Sequence, residues 1–193
     1  MNRSVATALL MGCVGLAACA DGPSTYSWSD YKNKIDAFYS NGVGGRDLLL
    51  IVDGDPFSVP DDAFAHKVEA SLANAPISRE PTRPLLSPND TANTRYWVVY
   101  VFNPPTDLFG NDICQRGTSG ARSKGFGPSR AGVVEAVAAF CVEGRALTET
   151  AGHTFADGPD DPRFTKLTRL MVADLFRTDL NWETGAQKST RSP

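Results

Sequence analysis

Apolar residues recur along the chain with two periods, and the period changes at short polar or glycine-rich breaks. Residues 47–52 read Asp-Leu-Leu-Leu-Ile-Val between Gly44-Gly45 and Asp53-Gly54, a continuous apolar run that predicts a buried strand. Residues 95–102, Arg-Tyr-Trp-Val-Val-Tyr-Val-Phe, form the strongest strand pattern, and Asn103-Pro104-Pro105 stops it. Residues 133–142 are again mostly apolar, Glu143-Gly144-Arg145 suits a turn, and 146–153 would return as the second arm of a hairpin. The Ala-rich composition there leaves a helix over 129–140 as the alternative. Helical spacing appears in three places. Trp28, Tyr31, Ile35 and Phe38 predict a short first helix between Ser29 and Asn41-Gly42. Phe64, Val68 and Leu72 give one face to a helix over 58–75, with Pro60, Asp61 and Asp62 in its first turn. Phe164, Leu167, Leu170, Met171 and Leu175 stripe a last helix that Asp161 caps and Pro162 opens.

The connections are uneven. Residues 76–94 carry Pro76, Pro81, Pro84 and Pro88, long for a plain link, and this predicts a packed surface loop or lid. Residues 104–132 form a Gly-rich loop holding Cys114. The order helix–strand–helix–strand–hairpin–helix predicts an α+β fold, a small, mostly antiparallel sheet covered by two or three helices on one face. One domain over 28–182 accounts for the patterned part, with a frayed tail over 183–193.

Composition narrows the function classes. The chain has 193 residues, of which 41% are hydrophobic and 21% charged, the balance of one ordinary globular domain. Nineteen Lys and Arg against 22 Asp and Glu give a net charge of −3, which lacks the basic footprint that phosphate backbones demand, so no nucleic-acid partner is expected.

The N-terminus is an address. Met1-Asn2-Arg3 precedes an uncharged stretch that ends in Leu16-Ala17-Ala18-Cys19, the layout of a secretory signal over 1–18. The run from Ser4 to Ala20 falls short of the roughly 20 residues of a spanning helix. Small side chains at Ala17 and Ala18 let a peptidase reach the bond before Cys19, and a thiol there can carry a thioether. Leu16-Ala17-Ala18-Cys19 resembles the lipobox of bacterial lipoproteins. That resemblance implies a diacylglycerol on Cys19, cleavage just before it, and a small polar tether over 19–27. Ala20 after the cysteine, with Asp only at 21, implies by the same resemblance an outer-membrane, periplasm-facing protein. Ala18-Cys19-Ala20 also fits ordinary secretion, and Leu10-Met11-Gly12-Cys13 is a poorer lipobox. Asn103-Pro104-Pro105 and Ala139-Phe140-Cys141 resemble segments of small proteobacterial lipoproteins. A membrane contact through the anchor and an envelope protein partner are the expected associations.

With Cys13 in the leader and Cys19 lipidated, Cys114 and Cys141 remain, and an oxidising compartment favours one disulfide over two separate buried thiols. Candidate chemistry is sparse. Arg116, Arg122, Lys124 and Arg130 lie in a stretch with four glycines and no acid, a loop able to grip an anion. The run 48–55, ending Asp53-Gly54-Asp55, resembles the first motif of haloacid-dehalogenase-type phosphatases, and Asp157-Gly158-Pro159-Asp160-Asp161 loosely resembles their acidic metal-binding motif. The resemblance implies Mg²⁺, with Asp53 as nucleophile, Asp55 as general acid, and Asp157 and Asp160 near the ion. Phe57 and Asn103 depart from that family's pattern, and the chain has too few βα units for its fold. Turn and cap roles account for the same aspartates. His66 falls at helical spacing from Asp62 and Glu69 and reads as an exposed, ion-paired residue; His153 has no local partner. Two distant histidines and two cysteines lack zinc-ligand spacing, so no metal or other cofactor is expected. The leading expectation is a non-enzymatic, lipid-anchored envelope protein in a binding or assembly role.

Overall fold

A computed structural model describes residues 22–28, 44–73, 75, 77, 82–90, 92–118 and 132–176. The elements run β1 (Ser24–Trp28), β2 (Asp47–Asp53), α1 (Asp61–Leu72), β3 (Arg83–Leu85), β4 (Tyr96–Phe102), α2 (Asn111–Thr118), β5 (Val133–Val142), β6 (Arg145–Phe155) and α3 (Pro162–Leu175). They build one six-stranded sheet in the order β1-β6-β5-β4-β2-β3.

The fold is α+β, as expected, but the sheet is mixed rather than mostly antiparallel. β1, β6, β5 and β4 pair antiparallel, whereas β4 with β2 and β2 with β3 pair parallel. The reason lies in the apolar runs themselves. β2 and β4 lack polar alternation because both their faces are covered, the usual situation of parallel strands. The helices accordingly lie on both faces, not on one. Even-numbered residues of β2, β4 and β5 face α1 and α3, where Leu50, Val98, Tyr100, Phe102 and Phe140 join Phe64, Val68, Leu167 and Met171 in the main core. Phe57 stands edge-on to Phe64 and Phe164 at 6.0 and 5.4 Å, and Phe64 edge-on to Phe102 at 4.9 Å. Odd-numbered residues face the other way. There Trp97, Val99, Val101, Val137 and Ala139 meet Ile113 and Cys114 of α2.

Three local expectations need correction. The stretch 19–27 was expected to be a tether throughout, but its last residues enter β1, which pairs with β6 from Ser24↔His153 to Trp28↔Glu149. The hydroxyl of Thr25 donates to Asp174 Oδ2 at 2.6 Å, tying this edge strand to α3. Trp28 thus belongs to a strand; the rest of the expected first helix lies outside the described residues, as do the signal segment, Cys19 and the tail. The Gly-rich loop after β4 contains α2, which carries Cys114 to Cys141 of β5. The Pro-rich segment contributes the short parallel strand β3 beside β2.

Other expectations hold. The Ala-rich segment is a hairpin, with a bulge where Phe140↔Thr148 gives way to Cys141↔Ala146. Asp161 caps α3 by accepting from the Arg163 amide at 2.8 Å, with Pro162 at the first helical position. His66 is exposed and lies 3.2 Å from Glu69. Gly152 is needed where α3 crosses β1 and β6: a Cβ there would meet the Ser24 carbonyl oxygen at 2.8 Å and Leu167 Cδ1 at 2.9 Å. Tyr100, fully buried, donates its hydroxyl to the Thr168 carbonyl at 2.8 Å. Burial pushes its phenol well above the ordinary range, and the Asp174 charge adds to that.

Candidate functional site on the open half of the second face

The carboxyl ends of β2, β4 and β6 and the start of β1 share one end of the sheet. Asp53 closes β2 there, and Arg116 reaches it from α2 at 3.4 Å, with only 9% and 13% of the two side chains exposed. The expected phosphatase nucleophile and one of the expected anion-binding cations are therefore partners of each other. Each offsets the other's desolvation, so the pair clamps α2 to the sheet rather than presenting either charge to a ligand. Asp55 accepts from the Phe57 amide at 2.8 Å in a local turn.

Asp157 and Asp160 stand beyond β6, 93% and 78% exposed. β6 and β2 are three strands apart, about 14 Å at ordinary strand spacing. Asp160 pairs with Lys67, and Asp157 faces Arg163. The four aspartates do not converge, and among the described residues no group of three or more His, Cys, Asp or Glu could hold a metal ion. This corrects the phosphatase expectation: the motifs that suggested it are a strand-end ion pair, a turn and a helix cap. Asp161, which completes the acidic run, is held below the usual carboxylate range, chiefly by the Arg163 side chain. Arg122, Lys124 and Arg130 lie outside the described residues.

The structure instead exposes a different set. α2 covers the second face over β2, β4, β5 and the start of β6, where Asn111 Oδ1 accepts from the Ala146 amide at 3.0 Å; among the described residues, the loop after β4 crosses that face toward the end of β6. Asn103, in a left-handed conformation (φ 47°), turns the chain out of β4, and its amide donates to the Glu135 carbonyl at 2.8 Å. Asn is among the few residues besides Gly that take this conformation readily. The loop then passes over the sheet until the Gly110 amide donates to Glu149 Oε2 at 2.8 Å. Beneath it lies a groove of about 350 Å³ lined by Tyr26, Pro105, Phe109, Glu135, Ala151 and His153, among others.

Glu135 and His153 line it, and the strand register sets Ser24 beside them. His153 of β6 pairs with Ser24 on one side and Glu135 on the other, so the three side chains form a row across three strands. The Ser24 hydroxyl lies 3.2 Å from His153 Nδ1 and 3.3 Å from Nε2. All three residues are exposed. An alkoxide or imidazolium formed there would be stabilised by water rather than by fixed dipoles, so the row suits hydrogen bonding to a bound group better than nucleophilic catalysis. No Lys or Arg lines the groove among the described residues, and the nearby loop adds Asp107. The sequence reading did not single out Ser24, Tyr26, Phe109 or Glu135. The partners missing for His153 lie on other strands, 129 residues away in the case of Ser24. An alternation signal did exist at Glu135, the one charged residue inside the apolar run of β5.

Comparisons with known proteins add little. No family model matches the chain, and no curated protein matches it. Among solved structures, the PelC dodecamer from Paraburkholderia phytofirmans overlaps with a TM-score of 0.38 at 12% identity, covering 79% of this chain and 94% of that one. A point variant of the same protein gives 0.40 at 11% identity, covering 79% and 98%. Overlap this loose assigns neither fold family nor function.

Proposed function

We propose that this chain is a lipid-anchored protein of the cell envelope, held on the outer membrane facing the periplasm, that acts by binding in an assembly or auxiliary role. The observation that carries the binding role is the groove on the second face, lined by the aromatic side chains of Tyr26 and Phe109 and by Glu135 and His153, with Ser24 beside His153. Its volume falls in the range of small-ligand or side-chain pockets. Two features support the location: Leu16-Ala17-Ala18-Cys19 has the form of a lipobox, and the Cys114–Cys141 disulfide suits an oxidising compartment. Among the described residues no helix is long and apolar enough to cross a membrane. In this reading Cys19 carries the acyl chains; more than one chain is required, since a single chain gives only marginal attachment. A second envelope protein is the expected partner.

The test is the mass of the N-terminal peptide from protein extracted with membranes. The reading expects a peptide beginning at Cys19 with thioether-linked and amide-linked acyl groups, and loss of that acylated peptide in a Cys19→Ser variant. An unacylated N-terminus on a freely soluble wild type would overturn it.

A further inference from the structure

Three large hydrophobic side chains are exposed among the described residues: Tyr26 at 66%, Phe109 at 60% and Phe155 at 43%. Scattered apolar residues on a surface need no explanation, but these three are not scattered. Tyr26 pairs with Ala151 across β1 and β6, and Ala151 faces the second core cluster. Phe155 is two and four residues beyond His153 and Ala151 on β6, so it emerges on the same face. Phe109 lines the groove together with Tyr26 and His153. All three therefore belong to one corner of the second face.

Chain length places this corner close to the lipid. Ser24, the first residue of β1, follows Cys19 by five residue steps, which span at most about 17 Å when fully extended. A body leashed that closely stays within reach of the bilayer, and the part nearest the leash is the start of β1 with its neighbours at the end of β6. Aromatic side chains are the ones that settle at headgroup level, where a ring meets both apolar and wet surroundings. We infer that the corner of the second face formed by the start of β1, the end of β6 and the loop after β4 rests on the bilayer that holds the anchor, with Tyr26, Phe109 and Phe155 seated among the headgroups. The inference rests on the acylation of Cys19. It also orients the molecule. β6 spans ten steps from Arg145 to Phe155, about 33 Å, so the opposite end of the sheet points into the periplasm. A partner entering the groove is then met at the membrane surface, not from the aqueous bulk.

The test uses the full-length protein, purified from membranes and reconstituted into phosphatidylethanolamine–phosphatidylcholine vesicles. With Cys19 acylated and Cys114 joined to Cys141, an introduced cysteine is the one thiol left for a spin label. Thr106→Cys places the label at the groove and keeps the aromatics; Arg145→Cys places it at the far end of β6. The expected result is a label at 106 more accessible to oxygen than to a water-soluble nickel chelate, with the reverse at 145. Adding Tyr26→Ala, Phe109→Ala and Phe155→Ala should shift the label at 106 to the aqueous pattern while the N-terminal peptide stays acylated. Equal aqueous accessibility at both positions in acylated protein would overturn the inference alone. Dipolar broadening between labels at 106 would overturn it in favour of a second copy covering the face. An unacylated N-terminal peptide would remove the anchor and the inference together.

Discussion

The two faces of the sheet are closed in different ways. On the first, α1 and α3, of 12 and 14 residues, bury a continuous core in which Phe57, Phe64, Phe102 and Phe164 interlock. On the second, α2 has eight residues, too few to be stable alone. It is held by a few apolar contacts, the Asp53–Arg116 pair and the Cys114–Cys141 disulfide. The first face is stabilised by area, whereas the second is stabilised by point attachments that, among the described residues, leave the corner of β1 and the end of β6 exposed. The comparison shows where binding can occur: Glu135, His153 and Ser24 are exposed, and no helix among the described residues lies over them.

If that contrast is right, mutations on the two faces fail differently. The largest effect should come from Phe164→Ala, which removes a side chain touching three other rings in the main core. A loss of about 4 kcal/mol is expected, read as a cooperative shift of the whole denaturation curve. Next is the disulfide. Closing a loop of 27 residues contributes about 3.5 kcal/mol in the chain-entropy model. The paired Cys114→Ala and Cys141→Ala variant should lose about that much, and hydrogen exchange should rise first in α2 while α1 and α3 stay protected. Uniform loss of protection would mean that the second face is not an independent attachment.

Gly152→Val should cost about 2 kcal/mol by overpacking, and its damage should appear at β1 and α3, because the new side chain meets Ser24 and Leu167. Asp161→Ala should cost about 1 kcal/mol through the lost cap of α3. Its carboxyl lies below its unfolded-state value, so its contribution is complete above the ordinary carboxylate range and is lost only as pH falls well beneath it. Acid titration of the wild type and of this variant should therefore converge at low pH and separate toward neutrality.

Much of the first face was legible in the sequence, since its helices carry their own stripes, such as Phe64, Val68 and Leu72, and Asp161-Pro162 announces the start of α3. β2, β4 and the hairpin were legible as apolar runs. Their parallel and antiparallel pairing was not, because an apolar run reports burial but not the direction of its neighbour. The second face was hard to read for the same reason that it is open. β1, Ser-Thr-Tyr-Ser-Trp, is an edge strand with a polar surface and resembles a tether until β6 is beside it. α2 contains a glycine, and among its described side chains Ile113 and Cys114 join the second core cluster, so it resembled loop. The groove depends on side chains from β1, β5, β6 and the loop after β4, and no spacing along the chain links them. Asp53 and Arg116 were noticed separately, as an acid and as a base, and only the fold makes them a pair.

Hydroxyl-radical footprinting of the full chain compares the two faces in one experiment, in native membranes and after detergent extraction. In detergent, Tyr26, Phe109 and Phe155 should oxidise readily. In membranes they should be protected, while Phe64, Phe102 and Phe164 stay unmodified in both. Equal oxidation of the three exposed rings in membranes and in detergent would contradict the account.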